Sequence, residues 1–310
     1  MLLSAGVIGI SRVVAPWQLY TCNLIMGFGW AGASSTAIST ILSQHFNRRL
    51  GFALSVALTG ASAGGFAVAP SLIALSHHDG FRTAVPELVL PLAALILPLI
   101  WIGMRGTSGA QRAAPDMTQS VLPAVTRREA LRDKRFWSVA GPFALAISAQ
   151  VGMMVYQVSY LLPLLGAAAT SVAPVCTGIS AAAGRLVLSS IIDHLDQRLV
   201  SAATFASQAA ALSLMTSLPG SPTARYFGGI VFGLCMGNVV ALPSLIIQRS
   251  FASRSFGLVL GLSTAIGQVF YSISPALLGV VCDLSGGDRA TLGVCIGLQT
   301  AAVLLILRRR

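Results

Sequence analysis

Charge is scarce in this chain. Lys, Arg, Asp and Glu make up 9% of its 310 residues, whereas soluble domains carry about 25%. So few charges cannot cover the surface of a soluble domain this long, and that class is excluded. No HExxH, GxSxG or P-loop pattern occurs, and no pair of carboxylates lies inside an apolar stretch. An enzyme is therefore not expected, and neither is a cofactor. The five cysteines, Cys22, Cys176, Cys235, Cys282 and Cys295, are odd in number, widely separated and without a CxxC. They read as small buried apolar residues rather than as a disulfide or metal framework. His77 and His78 beside Asp79, and His194 between Asp193 and Asp196, fall in predicted loops and read as exposed groups, so no metal site is expected. Titratable groups are also missing from the apolar stretches, where Arg185 is the one ionisable residue expected.

Hydrophobic residues, by contrast, make up 55% of the chain. Crossing about 30 Å of hydrocarbon takes roughly 20 apolar residues, and about ten runs approach that length. They lie near 1–15, 17–43, 50–75, 86–104, 137–165, 168–192, 199–218, 224–247, 256–282 and 290–307. The expectation is an all-α, polytopic transmembrane bundle whose first partner is the lipid bilayer. A net charge of +11 would point a soluble protein toward nucleic acid, but 16 of the 20 Lys/Arg fall on one side if the runs alternate. Such asymmetry in short loops marks the cytoplasmic face. It places 44–49, 105–136, 193–198, 248–255 and the C-terminus inside, in a plasma (inner) membrane, with no role for nucleic acid.

An internal repeat is visible. Phe28, Gly29, Gln44, Phe46, Arg49, Gly51, Ser55 and Pro70 have counterparts in Phe232, Gly233, Gln248, Phe251, Arg254, Gly257, Gly261 and Pro275, at offsets of 204 to 206. Transporters are often built from such repeated halves. The offset maps the run at 199–218 onto the short opening run, which lacks the basic start and cleavage site of a signal peptide. Partners for 137–165 and 168–192 would need about 60 to 70 residues ahead of Met1 if both halves hold six helices. The expected domains are residues 1–104, an incomplete N-terminal bundle holding helices three to six; 105–136, a cytoplasmic linker; and 137–310, a six-helix bundle of helices seven to twelve. The end of the linker, TRREALRDKRF, predicts a short amphipathic helix on the bilayer surface; a solvated basic tether is the alternative.

Small residues at four-residue spacing let helices approach closely in lipid. Gly60, Gly64 and Gly65 lie in one such stripe, and Gly229, Gly233 and Gly237 form another, so both are expected at helix contacts. With Phe46, Arg48, Arg49, Gly51, Ala53 and Ala57, the first stripe resembles the fifth membrane helix of the major facilitator superfamily, in its monocarboxylate-transporter and oxalate/formate-antiporter branch. His45 stands for the usual aromatic, Phe52 for Leu and Ser55 for Gly. The loop after 168–192 resembles the superfamily's loop motif in its second-half copy, through Gly184, Arg185, Asp193 and Arg198; His194 replaces the first loop Arg. The resemblance assigns Arg48, Arg49, Gly184, Asp193 and Arg198 to a gating or loop role. Asn23 takes the place of the arginine in the superfamily's fourth-helix motif.

Arg185 lies about eight residues, roughly 12 Å, before Asp193. An ionisable group at such depth is a functional candidate by default, and guanidinium binds carboxylate bidentately. In the monocarboxylate branch the arginine of helix eight is implicated in holding the anion, which makes Arg185 a substrate-binding candidate. Snorkelling toward the interface or pairing with Asp193 in a gate is the competing reading. Gln150, Tyr156, Gln157 and Tyr160 in helix seven, Asn23, and Asn238, Gln268 and Tyr271 in helices ten and eleven are candidates to line a midplane cavity. Interhelical hydrogen bonding is the equal alternative for each. The resemblance thus implies a secondary transporter of small organic anions by alternating access, with proton or counter-anion coupling left open. Loss of activity in a truncated chain and a non-transporting receptor or scaffold are the rival expectations. Substrate identity and oligomeric state cannot be read from these residues.

Overall fold

The structure, a computed structural model, describes residues 1–46, 50–107, 125–189, 191–218, 220–285 and 287–308. Every regular element among them is helical, so the expected all-α class holds. The chain divides into two compact units, Met1–His45 with Gly60–Ala114, and Phe46–Thr59 with Pro115–Arg310. Most of the expected linker lies outside the described residues.

In the first unit, α1 (Leu2–Ile10) runs back along α2 (Pro16–Ala33). Glycine makes this closeness possible: a Cβ on Gly9 would sit 2.7 Å from Cys22 Sγ, one on Gly29 2.6 Å from Leu3 N, and one on Gly6 would collide with Met26. Gln18 starts α2 by accepting from the backbone N–H groups of Val14 and Ala15 at 2.8 and 3.2 Å. The single run expected over 17–43 breaks at Ser34, whose extended backbone ends α2. Its hydroxyl accepts from Ala37 N at 3.3 Å and so opens α3 (Ser35–His45). α4 (Leu50–Asp79) begins in the second unit and continues in the first. Gly80, at φ 77°, turns the chain into α5 (Phe81–Thr107). Only glycine takes that left-handed geometry without steric cost.

In the second unit a short α6 (Arg127–Arg132) precedes α7 (Lys134–Ser189). Two helices were expected across α7, and it doubles back between them. Gln157 Nε2 donates to Thr177 Oγ1 at 2.9 Å, although 20 residues of straight helix would separate them by about 30 Å. The two limbs of α7 therefore pack against each other. α8 (Gln197–Ser217), α9 (Pro222–Val239), α10 (Leu242–Ser250), α11 (Phe256–Ser285) and α12 (Asp288–Leu307) complete the unit. The expected run 224–247 breaks between α9 and α10, as 17–43 does at Ser34. Met153, Leu212, Met215, Phe232, Leu278 and Leu292 form the core where α7, α8, α9, α11 and α12 meet. Phe143 and Phe205 meet edge to face at 5.2 Å beside it.

Six helices among the residues searched are long and apolar enough to cross a membrane: Phe81–Ile102, Lys134–Val155, Gln197–Ser217, Pro222–Ser250, Phe256–Ser285 and Arg289–Leu307. Val175–Leu188, the second limb of α7, is a shorter apolar helix. Large apolar side chains such as Leu95, Leu99, Ile100 and Trp101 on α5 face outward, as expected where lipid is the solvent. One expectation is corrected here. Glu87, at the start of the run expected over 86–104, lies inside the span Phe81–Ile102, so Arg185 is not the one ionisable group in the apolar stretches.

Candidate functional site

The second limb of α7 meets α9 through the GxxxGxxxG stripe. A Cβ on Gly233 would lie 2.5 Å from Thr177 O and 3.0 Å from Ser180 Cβ. On Gly237 it would collide with Ala181 O, and on Gly184 with Leu234 O. Gly229 is looser, 3.7 Å from both Gln157 Nε2 and Thr177 Oγ1. Residues 177, 181 and 185 recur at four-residue spacing, so one face of the limb meets one face of α9. The backbones are close enough for side chains of one helix to reach carbonyls of the other.

Arg185 does this. It is buried, with 9% of its surface exposed. Nε donates to Gly237 O at 2.9 Å and Nη1 to Leu58 O, on α4, at 2.6 Å. The break after α9 prepares the first acceptor. Ala241 N turns to Asn238 O at 3.1 Å, one residue short of the Gly237 carbonyl that a continuing helix would engage. The negative end of a helix dipole favours a cation, and carbonyl acceptors reduce the cost of burying one without cancelling its charge. Asn238 Nδ2 donates to Gly184 O and Leu234 O, each at 3.3 Å, which ties the two helices beside the guanidinium. Arg185 lies four residues, about 6 Å, before α7 ends at Ser189, and a 3₁₀ turn over Ile192–His194 follows.

At that end of the helix, the residue that caps a neighbour is Asp196. Its side chain accepts from Arg198 N at 2.9 Å and starts α8. Asp193 lies in the 3₁₀ turn, and its side chain falls outside the described residues. Arg198 Nη2 donates to Ser138 Oγ at 2.9 Å, joining the start of α8 to the start of α7. A cleft of about 410 Å³ opens here between His194–Arg198 and the end of α10, with Arg249 on its far wall.

The remaining candidates scatter. Gln157, buried, is committed to Thr177. Gln150 is buried, and its Nε2 has no hydrogen-bond partner among the described residues. Asn23 is exposed and donates to Leu19 O of its own helix at 2.9 Å. Gln268 and Tyr271 on α11 are exposed, so the described structure does not bring them to Arg185. Arg48 and Arg49 lie outside the described residues, as do the side chains of Tyr156 and Tyr160 and of Gly65's surroundings in α4. A Cβ on Gly60 or Gly64 meets nothing within 4 Å among the described residues. Residues passed over in the sequence include Thr177, legible from its register with Arg185, and the Leu58 carbonyl, for which no sequence signal exists. They also include a buried pair, Gln208 and Gln299, joined at 2.8 Å across α8 and α12.

A family model described as the Major Facilitator Superfamily matches residues 1–275. An uncharacterized transporter of that type from Bacillus subtilis, YcxA, is 25% identical over 321 residues, covering 96% of this chain and 74% of its own length. Human monocarboxylate transporter 11 is 40% identical over 87 residues, 26% of this chain and 18% of that protein. Among solved structures, the Escherichia coli fucose:proton symporter FucP aligns with a TM-score of 0.74 at 14% identity, over 98% of this chain and 80% of the symporter. The human organic anion transporter MFSD10 aligns at 0.75 and 14% identity, over 99% of this chain and 75% of that one. At such identity the structural matches speak for the fold, and the fold and the family model agree. With membrane-crossing helices and a match over most of its length, the chain belongs to the major facilitator superfamily of multi-pass membrane transporters.

Proposed function

We propose that the chain moves small organic anions of the monocarboxylate type across the plasma membrane by alternating access, with Arg185 as the anion's anchor. The observation that carries this is the buried guanidinium, held between the Gly237 and Leu58 carbonyls near the end of a membrane helix. A positive group kept out of bulk water attracts a carboxylate more strongly than one on a surface, and the guanidinium fork matches carboxylate geometry. The relatives named for monocarboxylates support the same substrate class. Gln150, whose buried amide N–H₂ lacks a partner among the described residues, is the next contact proposed. The proposed organisation is a bundle over 1–104, a cytoplasmic linker over 105–136 and a second bundle over 137–310, with the C-terminus inside, as the distribution of Arg and Lys favours. A proton or a counter-anion is the proposed coupling partner.

The test is uptake of labelled lactate into proteoliposomes. Arg185→Gln is expected to lower the initial rate at least about tenfold, and Arg185→Lys to restore only part of it, because the charge returns without the fork. Both variants are checked for monodisperse elution in detergent. Unchanged lactate uptake in a well-folded Arg185→Gln chain would overturn the assignment of Arg185. Uptake of a neutral sugar without lactate would overturn the substrate class.

A further inference from the structure

The α6 segment is not used by the transport reading, yet it is built with care. Thr126 caps it: the backbone N–H and Oγ of Thr126 both donate to Glu129 Oε2 at 2.8 Å, and Thr126 Oγ1 accepts in turn from Glu129 N. Such a reciprocal box fixes where a helix begins. Val125 N donates to Ser255 Oγ at 2.8 Å, and Ala130 is fully buried, so α6 is docked on the second unit. The chain then turns at Asp133, whose backbone is extended, and enters α7. Trp137 closes the corner, its indole N–H donating to Leu131 O at 2.8 Å.

This docked corner carries an uneven charge. Arg127, Arg128, Arg132, Lys134 and Arg135 are exposed, and so is Arg254 in the turn that receives Val125. Against these six cations stand two carboxylates, Glu129 and Asp133, each accepting from a neighbouring backbone N–H group; six minus two leaves +4. Position gives the patch a neighbour. The span Lys134–Val155 starts two residues after α6 ends, so α6 lies where that helix leaves the hydrocarbon. Trp137 and Leu131, each more than two-fifths exposed, present an aromatic ring and an aliphatic chain at the same level. Tryptophan favours the headgroup layer, and basic clusters immediately beside a membrane span attract anionic lipid.

We infer that the α6 corner, from Arg127 to Trp137 with Arg254, is a binding surface for anionic phospholipid in the leaflet that it faces. Its cations meet phosphate headgroups while Trp137 and Leu131 sink into the boundary below them. The docking of α6 matters because a helix held in place spends less ordering entropy on binding than a free tether would.

Brominated lipids that quench tryptophan report this directly. The full chain, with Trp17, Trp30 and Trp101 changed to Phe, is reconstituted in phosphatidylcholine vesicles containing brominated phosphatidylglycerol or brominated phosphatidylcholine. Trp137 is expected to be quenched by the anionic lipid with at least about fivefold preference, about the effect of one cation. The preference should fall at least about threefold in Arg127→Gln/Arg128→Gln/Arg132→Gln, which leaves a net +1, should reach parity at high salt, and should survive the three Arg→Lys changes. Millimolar inorganic phosphate should not compete. As a check that needs no tryptophan changes, the unaltered chain extracted from mixed vesicles should co-purify with more phosphatidylglycerol than the triple Gln variant. Equal quenching by the two lipids would overturn the proposal. So would a preference undiminished in the triple Gln variant, or one abolished by free phosphate.

Discussion

Gln208 and Gln299 are both wholly buried, and they meet where water cannot follow. Gln299 Nε2 donates to Gln208 Oε1 at 2.8 Å and reaches Ala146 O at 3.4 Å, so α7, α8 and α12 share one polar contact. Gln208 Nε2 and Gln299 Oε1 have no partner among the described residues, which leaves the amide pair half satisfied. Interhelical hydrogen bonds in membrane bundles are worth about 0.6 kcal/mol on average and about 1–2 at most. An orphaned buried polar group costs about 1–3 kcal/mol. Gln208→Leu or Gln299→Leu alone breaks the bond and strands the other amide, so each should destabilise by about 1–2 kcal/mol. The double Leu variant removes all four polar atoms at similar volume and should lie within about 1 kcal/mol of the unaltered chain, on either side. The coupling expected from the cycle is therefore about −3 kcal/mol, well beyond the error of additivity for independent sites. Reversible unfolding in mixed micelles, with the four proteins measured side by side, reads it. A double variant as unstable as the sum of the single ones would refute the reasoning, since it would mean that the amides do not depend on each other.

Two further outcomes follow from the same kind of geometry. Gly237→Ala should lower stability by about 1–3 kcal/mol through overpacking, because the new Cβ collides with Ala181 O and comes within 3.3 Å of Arg185 Cβ. Glu129 is held below its ordinary carboxyl pKa of 4.5, first by the Thr126 backbone N–H and then by the Thr126 hydroxyl. A depressed carboxyl contributes stability that is complete above the ordinary value and is lost as pH falls through the lower, folded one. Amide hydrogen exchange across 125–133, corrected for intrinsic rates, should therefore be flat from neutrality to about pH 5 and rise below 4.5, and Thr126→Ala should remove that pH step.

Much of this was legible in composition and spacing. The shortage of charge dictated helices in lipid, since a backbone without water must satisfy its own hydrogen bonds. The Gly229, Gly233 and Gly237 register carried the α7 to α9 contact, because only small residues admit another backbone so closely. The capping box at Thr126 and Glu129 was equally open to reading. Other features were not. The breaks at Ser34 and after Val239 lie inside runs with no loss of apolarity, so hydrophobicity could not find them.

Solvent, family and the close-packing glycines of α9 belong to the sequence alone, because each depends on residue type and short-range period. Which carbonyls receive Arg185 and which amides pair were decided by tertiary structure. Those outcomes join residues as far apart as Leu58 and Arg185, 127 positions along the chain, and a hydrogen bond at 2.6 Å depends on where two backbones finally lie.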